Sequence, residues 1–211
     1  KISFYSSPNL IEWTHESDFN PAWAAYGGVW ECPDLFPLTS PEGDQKWILL
    51  VSINPGGPNG GSATQYFVGD FDGESFTTNQ KDIKWLDHGT DNYAGVTWSN
   101  VPDSDGRKLF IGWMSNWDYA QVVPTEVWRS AMTLPRTLSL YREGEELWLA
   151  SNPVKELEQL RDQPSVVKGE KVVLENELLE ISLKPKAGDF SATFENEYGE
   201  ILVIGKRADE L

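Results

Sequence analysis

The sequence predicts an all-β protein, and three observations carry that expectation. Up to about residue 150 the chain is a succession of short β-branched or aromatic runs separated by Gly, Pro, Asn and Asp, the punctuation of strands and turns. The apolar spacing of an amphipathic helix is nearly absent from the same stretch. Strand-like segments also recur at a long, nearly constant spacing, as expected of a repeated β unit.

Candidate strands follow in order. Residues 2–6 form an aromatic run ending at Ser7-Pro8-Asn9, and residues 46–53 lie between Gly43-Asp44 and Asn54-Pro55-Gly56-Gly57. Residues 65–71 stop at Asp72-Gly73, residues 93–98 follow Asp91-Asn92, and residues 108–114 are bracketed by Asp105-Gly106 and Ser115-Asn116. Residues 131–140 and 147–150 complete the set on either side of Gly144. Two of these segments repeat. Lys46-Trp47-Ile48-Leu49-Leu50-Val51-Ser52-Ile53-Asn54 is similar to Lys108-Leu109-Phe110-Ile111-Gly112-Trp113-Met114-Ser115-Asn116, 62 residues on (46 to 108). Residues 1–13 are similar to residues 64–76, 63 residues on (1 to 64). A unit of that length accommodates a four-stranded blade, and blades must stack on neighbours to bury their faces, which points to a β-propeller with two related units in view. Chance similarity among short strands is the competing explanation.

Residues 152–160 break the pattern, with Leu157 and Leu160 among Lys and Glu at a spacing that suits a short amphipathic helix or connector. The division is therefore a propeller portion at 1–150, a linker at 151–163 and a second domain at 164–211. Within the last, residues 171–174, 178–183, 190–195 and 201–204 read as alternating strands, consistent with the opening of a β-sandwich. Four such strands leave unpaired edges and an apolar face, so this part is expected to be unstable without a cover.

Composition narrows the function classes. A formal charge of -16, from 33 acidic against 17 basic side chains, repels polyanions and leaves no basic stripe, so nucleic acid is an unsuitable partner. No apolar run approaches the ~18 residues of a membrane span, which reads as a soluble globular protein. The single cysteine allows no intrachain disulfide. His15 and His88 stand isolated, so a zinc site has no donor set. No charged-then-apolar leader opens the chain, and residues 1–5 already read as strand, as though the beginning lay upstream.

The chemistry concentrates in Trp30-Glu31-Cys32-Pro33-Asp34-Leu35-Phe36. A carboxylic acid flanked by an indole and a thiol is expected to be partly desolvated, which raises its pKa and keeps a proton available near neutral pH. Glu31 is the candidate general acid. Trp113 and Trp117, among ten tryptophans, offer flat faces on which sugar C–H groups stack, although blades also bury aromatics between sheets.

Residues 30–36, with 113–119 and 124–129 downstream, resemble glycoside hydrolase family 32, the fructan-cleaving invertases, levanases and inulinases, over roughly residues 1 to 160. The resemblance implies a five-bladed propeller followed by a β-sandwich, and hydrolysis of terminal β-fructosyl units with retention of configuration. It implies Glu31 as acid and base, Cys32 as a modulator of its proton, and a fructose-containing saccharide as the partner molecule. It further implies Asp91, Tyr93 and Trp113 at the fructosyl pocket, no cofactor, and an extracellular or periplasmic location. Each residue has a structural alternative: a buried thiol for Cys32, a turn for Asp91, an aromatic packed between blades for Tyr93 and still more for Trp98. Residues 124–129 are read as structural. The family nucleophile lies in Asn-Asp-Pro-Asn and a stabilising Asp in Arg-Asp-Pro; neither motif occurs here, and Asp34 and Asp103 follow proline rather than precede it. The expectation is a fragment beginning after those motifs and inactive alone, with a split protein or pseudoenzyme as variants of that reading. Competing functions are a fructan-binding module without catalysis and a related arabinan-acting propeller glycosidase.

Overall fold

The computed structural model describes residues 1–164, 166, 171–174, 178–182 and 189–206. The chain divides into two compact units, Lys1–Glu158 and Gln159–Leu211. The first unit is all-β up to its last few residues, where a 3₁₀ helix (Lys155–Leu160) begins, and it is built from blades of a propeller. A hairpin of β1 (Ile2–Ser6) and β2 (Thr14–Phe19) precedes two larger antiparallel sheets. The first blade contains β3 (Val29–Thr39), β4 (Gln45–Asn54) and β5 (Ala63–Phe71), and its outer position is filled in two pieces, β6 (Phe76–Thr77) and β7 (Lys84–Trp85), both paired to β5. The second blade contains β8 (Tyr93–Thr97) and β9 (Lys108–Met114), a third position split into β10 (Ala131–Met132) and β11 (Arg136–Glu143), and β12 (Glu146–Pro153).

Strand β4 explains why the blades stay together. Its side chains alternate between two cores, as the period of two requires. Ile48 and Leu50 pack with Phe36, Tyr66, Phe110 and Leu138, joining the two blades. Leu49, Val51 and Ile53 pack on the other face with Phe19, Phe67 and Phe76, where Ile2 and Phe4 of β1 also lie. Burial on both faces accounts for an uninterrupted apolar run in the sequence.

The two blades repeat, with a one-residue correction to the spacing read from sequence. Glu31 pairs with Ser52, whereas Asp34 pairs with Leu50, so β3 carries one extra residue; Cys32 sits there with φ 47°. Tyr93 pairs with Trp113 and Val96 with Ile111, so β8 carries the same bulge, with Ala94 at φ 51°. The bulges lie 62 residues apart (32 to 94), but their partners Ser52 and Trp113 lie 61 apart (52 to 113). Ile48 and Phe110, equated by the 62-residue similarity, instead face one another across the shared core. Where both faces of a strand are apolar, hydrophobic similarity cannot fix register, and a slip of one residue exchanges the faces.

Other departures have local causes. The expected strand at 131–140 is broken because Pro135 lacks an amide and Thr133 turns its hydroxyl into the ladder, accepting the Gly112 N–H at 3.0 Å. Strand β3 was obscured by Pro33 and Pro37, which it tolerates as the edge of its sheet. Strand β2, Thr-His-Glu-Ser-Asp-Phe, is too polar to announce itself. In the second unit, β13 (Phe190–Glu195) and β14 (Ile201–Lys206) form a hairpin with Phe190, Ala192 and Phe194 on one face. Residues 171–174 and 178–182 are not strands, and Leu183 lies outside the described residues. Among the described residues they have no pairing partner, and β propensity alone does not create a ladder.

Gly95 tests how β8 seats on the Phe110 ring, which belongs to the core joining the blades. A Cβ there would stand 2.1 Å from Cζ of Phe110, a residue with no solvent exposure. Gly95→Ala is expected to destabilise the protein by about 1–3 kcal/mol through overpacking, seen as a lower urea midpoint with an unchanged slope. Phe110→Leu in the same background should recover part of the loss.

Candidate active site

Trp30 and Glu31 leave β3 on opposite faces. The indole of Trp30 stacks on Tyr26 at 4.7 Å, donates to the Ala25 carbonyl at 2.8 Å and belongs to the core around Phe67. It therefore does not shield the Glu31 carboxyl, and Glu31 is an exposed residue, contrary to the sequence expectation of an acid desolvated by its neighbours. What holds Glu31 is Tyr93, whose phenolic hydroxyl donates to Oε2. Tyr93 itself is buried, with 3% exposure. Burial first, and then the adjacent Glu31 carboxylate, push the Tyr93 hydroxyl well above the ordinary tyrosine pKa, so it remains a donor.

The Cys32 bulge reorganises this end of the strand. In a regular strand residues 31 and 34 would point to opposite faces; the extra residue places Asp34 on the same face as Glu31. Asp34 Oδ2 accepts the backbone N–H of Thr97 at 2.7 Å, and Ser52 Oγ accepts that of Ala94 at 3.1 Å. Both donors are edge amides of β8, which among the described residues pairs only with β9. The Cys32 thiol is pushed up by burial and by the charge of Glu31, which keeps it protonated, although the residue is exposed overall.

Trp113, opposite Tyr93 across the β8–β9 ladder, presents its ring at 6.2 Å and 62° to the phenol. Trp117 follows at 5.1 Å from Trp113 and is 47% exposed, its amide anchored on Ser62 Oγ at 3.1 Å. Glu31, Cys32, Tyr93 and Trp113 thus form one group. Asp91 stands on the loop before β8, where Oδ1 accepts the Tyr119 hydroxyl and Oδ2 accepts that of Thr90 at 3.2 Å. Trp98, read as a candidate packing aromatic, is 43% exposed, and Val127 and Trp128 are exposed as well. Asp34 and Ser52 were not identified as site residues from sequence, because their partners are backbone amides far along the chain. Among the described residues no three His, Cys, Asp or Glu side chains converge as a metal site. His15 pairs with Asp18 at 3.0 Å.

Residues 1–153 match the N-terminal domain of glycosyl hydrolases family 32. The chain belongs to that family. It is 48% identical over 165 residues to a levanase of Bacillus subtilis (strain 168), covering 76% of this chain and 24% of that protein. It is 42% identical over 163 residues to an extracellular exo-inulinase of Aspergillus niger, covering 72% of this chain and 30% of that protein. Among solved structures, the exo-inulinase from Aspergillus awamori superposes with a TM-score of 0.66 at 40% identity, covering 72% of this chain and 31% of that one. A fructofuranosidase from Schwanniomyces occidentalis complexed with fructose gives a TM-score of 0.65 at 39% identity, covering 72% and 30%. This family 32 chain therefore spans less than a third of the length of these relatives.

The Tyr93–Glu31 bond has a signature at alkaline pH. A raised phenol pKa favours the folded state fully below the unfolded tyrosine value of about 10, and that contribution is lost as pH rises through the folded value. Stability is therefore expected to fall above about pH 10 more steeply in the native protein than in Tyr93→Phe. In Glu31→Gln the Tyr93 ionisation, followed by the Cζ resonance of labelled tyrosine, should move down yet stay above the ordinary value, because burial is its larger cause.

Proposed function

We propose that this chain supplies the acid/base side of a retaining β-fructosidase site that releases terminal β-fructofuranosyl units from fructans or sucrose. The observation that carries the reading is a Glu31 carboxylate held by Tyr93 beside the Trp113 ring, within the residues that match the family 32 domain. The curated relatives include a levanase and an exo-inulinase, and the fungal exo-inulinase is described as extracellular. An extracellular or periplasmic site of action is part of the same proposal. Among the described residues no helix is long and apolar enough to cross a membrane.

Retention requires two carboxyl groups about 5 to 5.5 Å apart, one forming a glycosyl-enzyme bond and the other handling the proton. Glu31 takes the second role. Its Oε2 is engaged by Tyr93, so Oε1 delivers the proton to the glycosidic oxygen as the C–O bond breaks. The resulting carboxylate then accepts a proton from the water that attacks the fructosyl-enzyme intermediate. The Tyr93 hydroxyl stabilises the carboxylate that forms when the proton leaves. A protonated Cys32 adds no second negative charge beside the Glu31 carboxylate. Trp113 stacks on the apolar face of the sugar, and Asp91, fixed by Tyr119 and Thr90, accepts from sugar hydroxyls.

Neither Asn-Asp-Pro nor Arg-Asp-Pro occurs in the 211 residues, so the nucleophilic carboxylate is assigned to blades outside them, and these residues alone are not expected to complete a turnover. The second unit is assigned to the opening of a β-sandwich. No metal or organic cofactor enters the reaction.

In the complete protein, Glu31→Gln should lower kcat on levan, inulin or sucrose by about 10²–10⁴-fold while leaving saccharide binding nearly unchanged. Ordinary turnover in that variant removes Glu31 from the mechanism. Fructan binding without hydrolysis by the native complete protein would favour a non-catalytic binding module.

A further inference from the structure

We propose that Asp34 is a positioning residue for Glu31: turned onto the same face by the Cys32 bulge, it ties β3 to the edge of β8 and so sets where Tyr93 meets the Glu31 carboxyl. The proposal rests on the acid/base reading of Glu31. Three observations combine. The bulge is the only reason residues 31 and 34 share a face, and it is maintained by a non-glycine residue at φ 47°. Asp34 spends a carboxylate oxygen on a single backbone amide, Thr97 N–H at 2.7 Å, a charge-assisted bond at the short end of the N–H···O range. On the other side of the Ala94 bulge, Ser52, the ladder partner of Glu31, accepts the Ala94 amide at 3.1 Å. The turn of β8 that presents Tyr93 is therefore clamped from the first blade by one side chain adjoining Glu31 across the ladder and another three residues beyond it.

Among the described residues these amides have no other partner, because β8 is an edge strand and its ladder with β9 uses the opposite side. An edge amide that is half-buried and unpaired is costly, so loss of the acceptor should let β8 shift toward water or rearrange. Glu31 and Tyr93 come from different sheets, and nothing within either sheet fixes their separation. Displacement of about 1 Å at a reacting group costs about a hundredfold in rate. Asp34 transfers no proton in this scheme; its effect passes through Tyr93 and Glu31.

The test uses the complete protein with Asp34→Ala, Asp34→Asn and Ser52→Ala, measuring kcat and KM on a fructan and the ionisation of labelled Tyr93. Asp34→Ala is expected to lower kcat about 10–100-fold with KM within about threefold, and to move Tyr93 ionisation toward that of Glu31→Gln. Asp34→Asn keeps an oxygen acceptor for Thr97 and should restore kcat to within about fivefold of native, which a role through negative charge would not allow. Ser52→Ala should shift both readouts in the same direction by less, and it decides the matter if Asp34→Ala does not fold. Native kcat and Tyr93 ionisation in Asp34→Ala, or equal impairment in Asp34→Asn and Asp34→Ala, would overturn the proposal. If the native protein hydrolyses no fructan, the functional reading fails, yet the Tyr93 titration still decides the role of Asp34: unchanged ionisation in Asp34→Ala refutes it, and a lowered one upholds it.

Discussion

One inserted residue in β3 is the constraint on which the site depends. Cys32 occupies a left-handed conformation that costs a non-glycine residue on the order of 1–3 kcal/mol, and such a conformation persists only where the surrounding structure over-determines it. The bulge gives Glu31 and Asp34 a common face, and the matching bulge at Ala94 shapes the strand that carries Tyr93. Glu31 and Tyr93 are thus the same structural position in successive blades, each the last residue before a bulge. A carboxylate in one blade and a phenol in the next make a hydrogen-bonded pair from a repeated backbone feature.

The pair lies between sheets, so its geometry is inherited from the core that joins them. Ile48 and Leu50 of β4 meet Phe110 of β9 and Leu138 of β11, all essentially excluded from solvent. Such a core is packed to the density of an organic crystal and resists sliding. The polar bonds from Asp34 and Ser52 then add direction at the inner edge, where apolar packing alone would leave amides unpaired. Stability and site geometry are coupled here: the contact that buries Phe110 against Gly95 also seats β8.

Electrostatically, two groups beside Glu31 are kept uncharged. Tyr93 and Cys32 are both pushed upward, by burial first and by Glu31 second, so both are neutral near pH 7. Glu31 is held by a hydrogen-bond donor that stays neutral, rather than by the hydrophobic wall that the neighbouring Trp30 suggested in the sequence. That wall belongs to the opposite face of the strand.

The sequence by itself determined the all-β character, the repeat length to within one residue and most strands of the first unit, and it put forward Glu31, Cys32, Tyr93 and Trp113 as candidates. These are local properties: turn residues, β-branched runs and short motifs act over a few positions. Tertiary structure alone decided which face each residue takes. The bulges, the register of β4 against β9, the separation of Trp30 from Glu31, and the contact of Asp91 with Tyr119 all follow from pairings between distant strands. A side-chain period of two makes every such assignment turn on a single residue, and β4, apolar on both faces, offers no contrast from which that residue could be counted. Asp34 shows the same limit, because its partner is a backbone amide that has no sequence identity until the two blades are brought together.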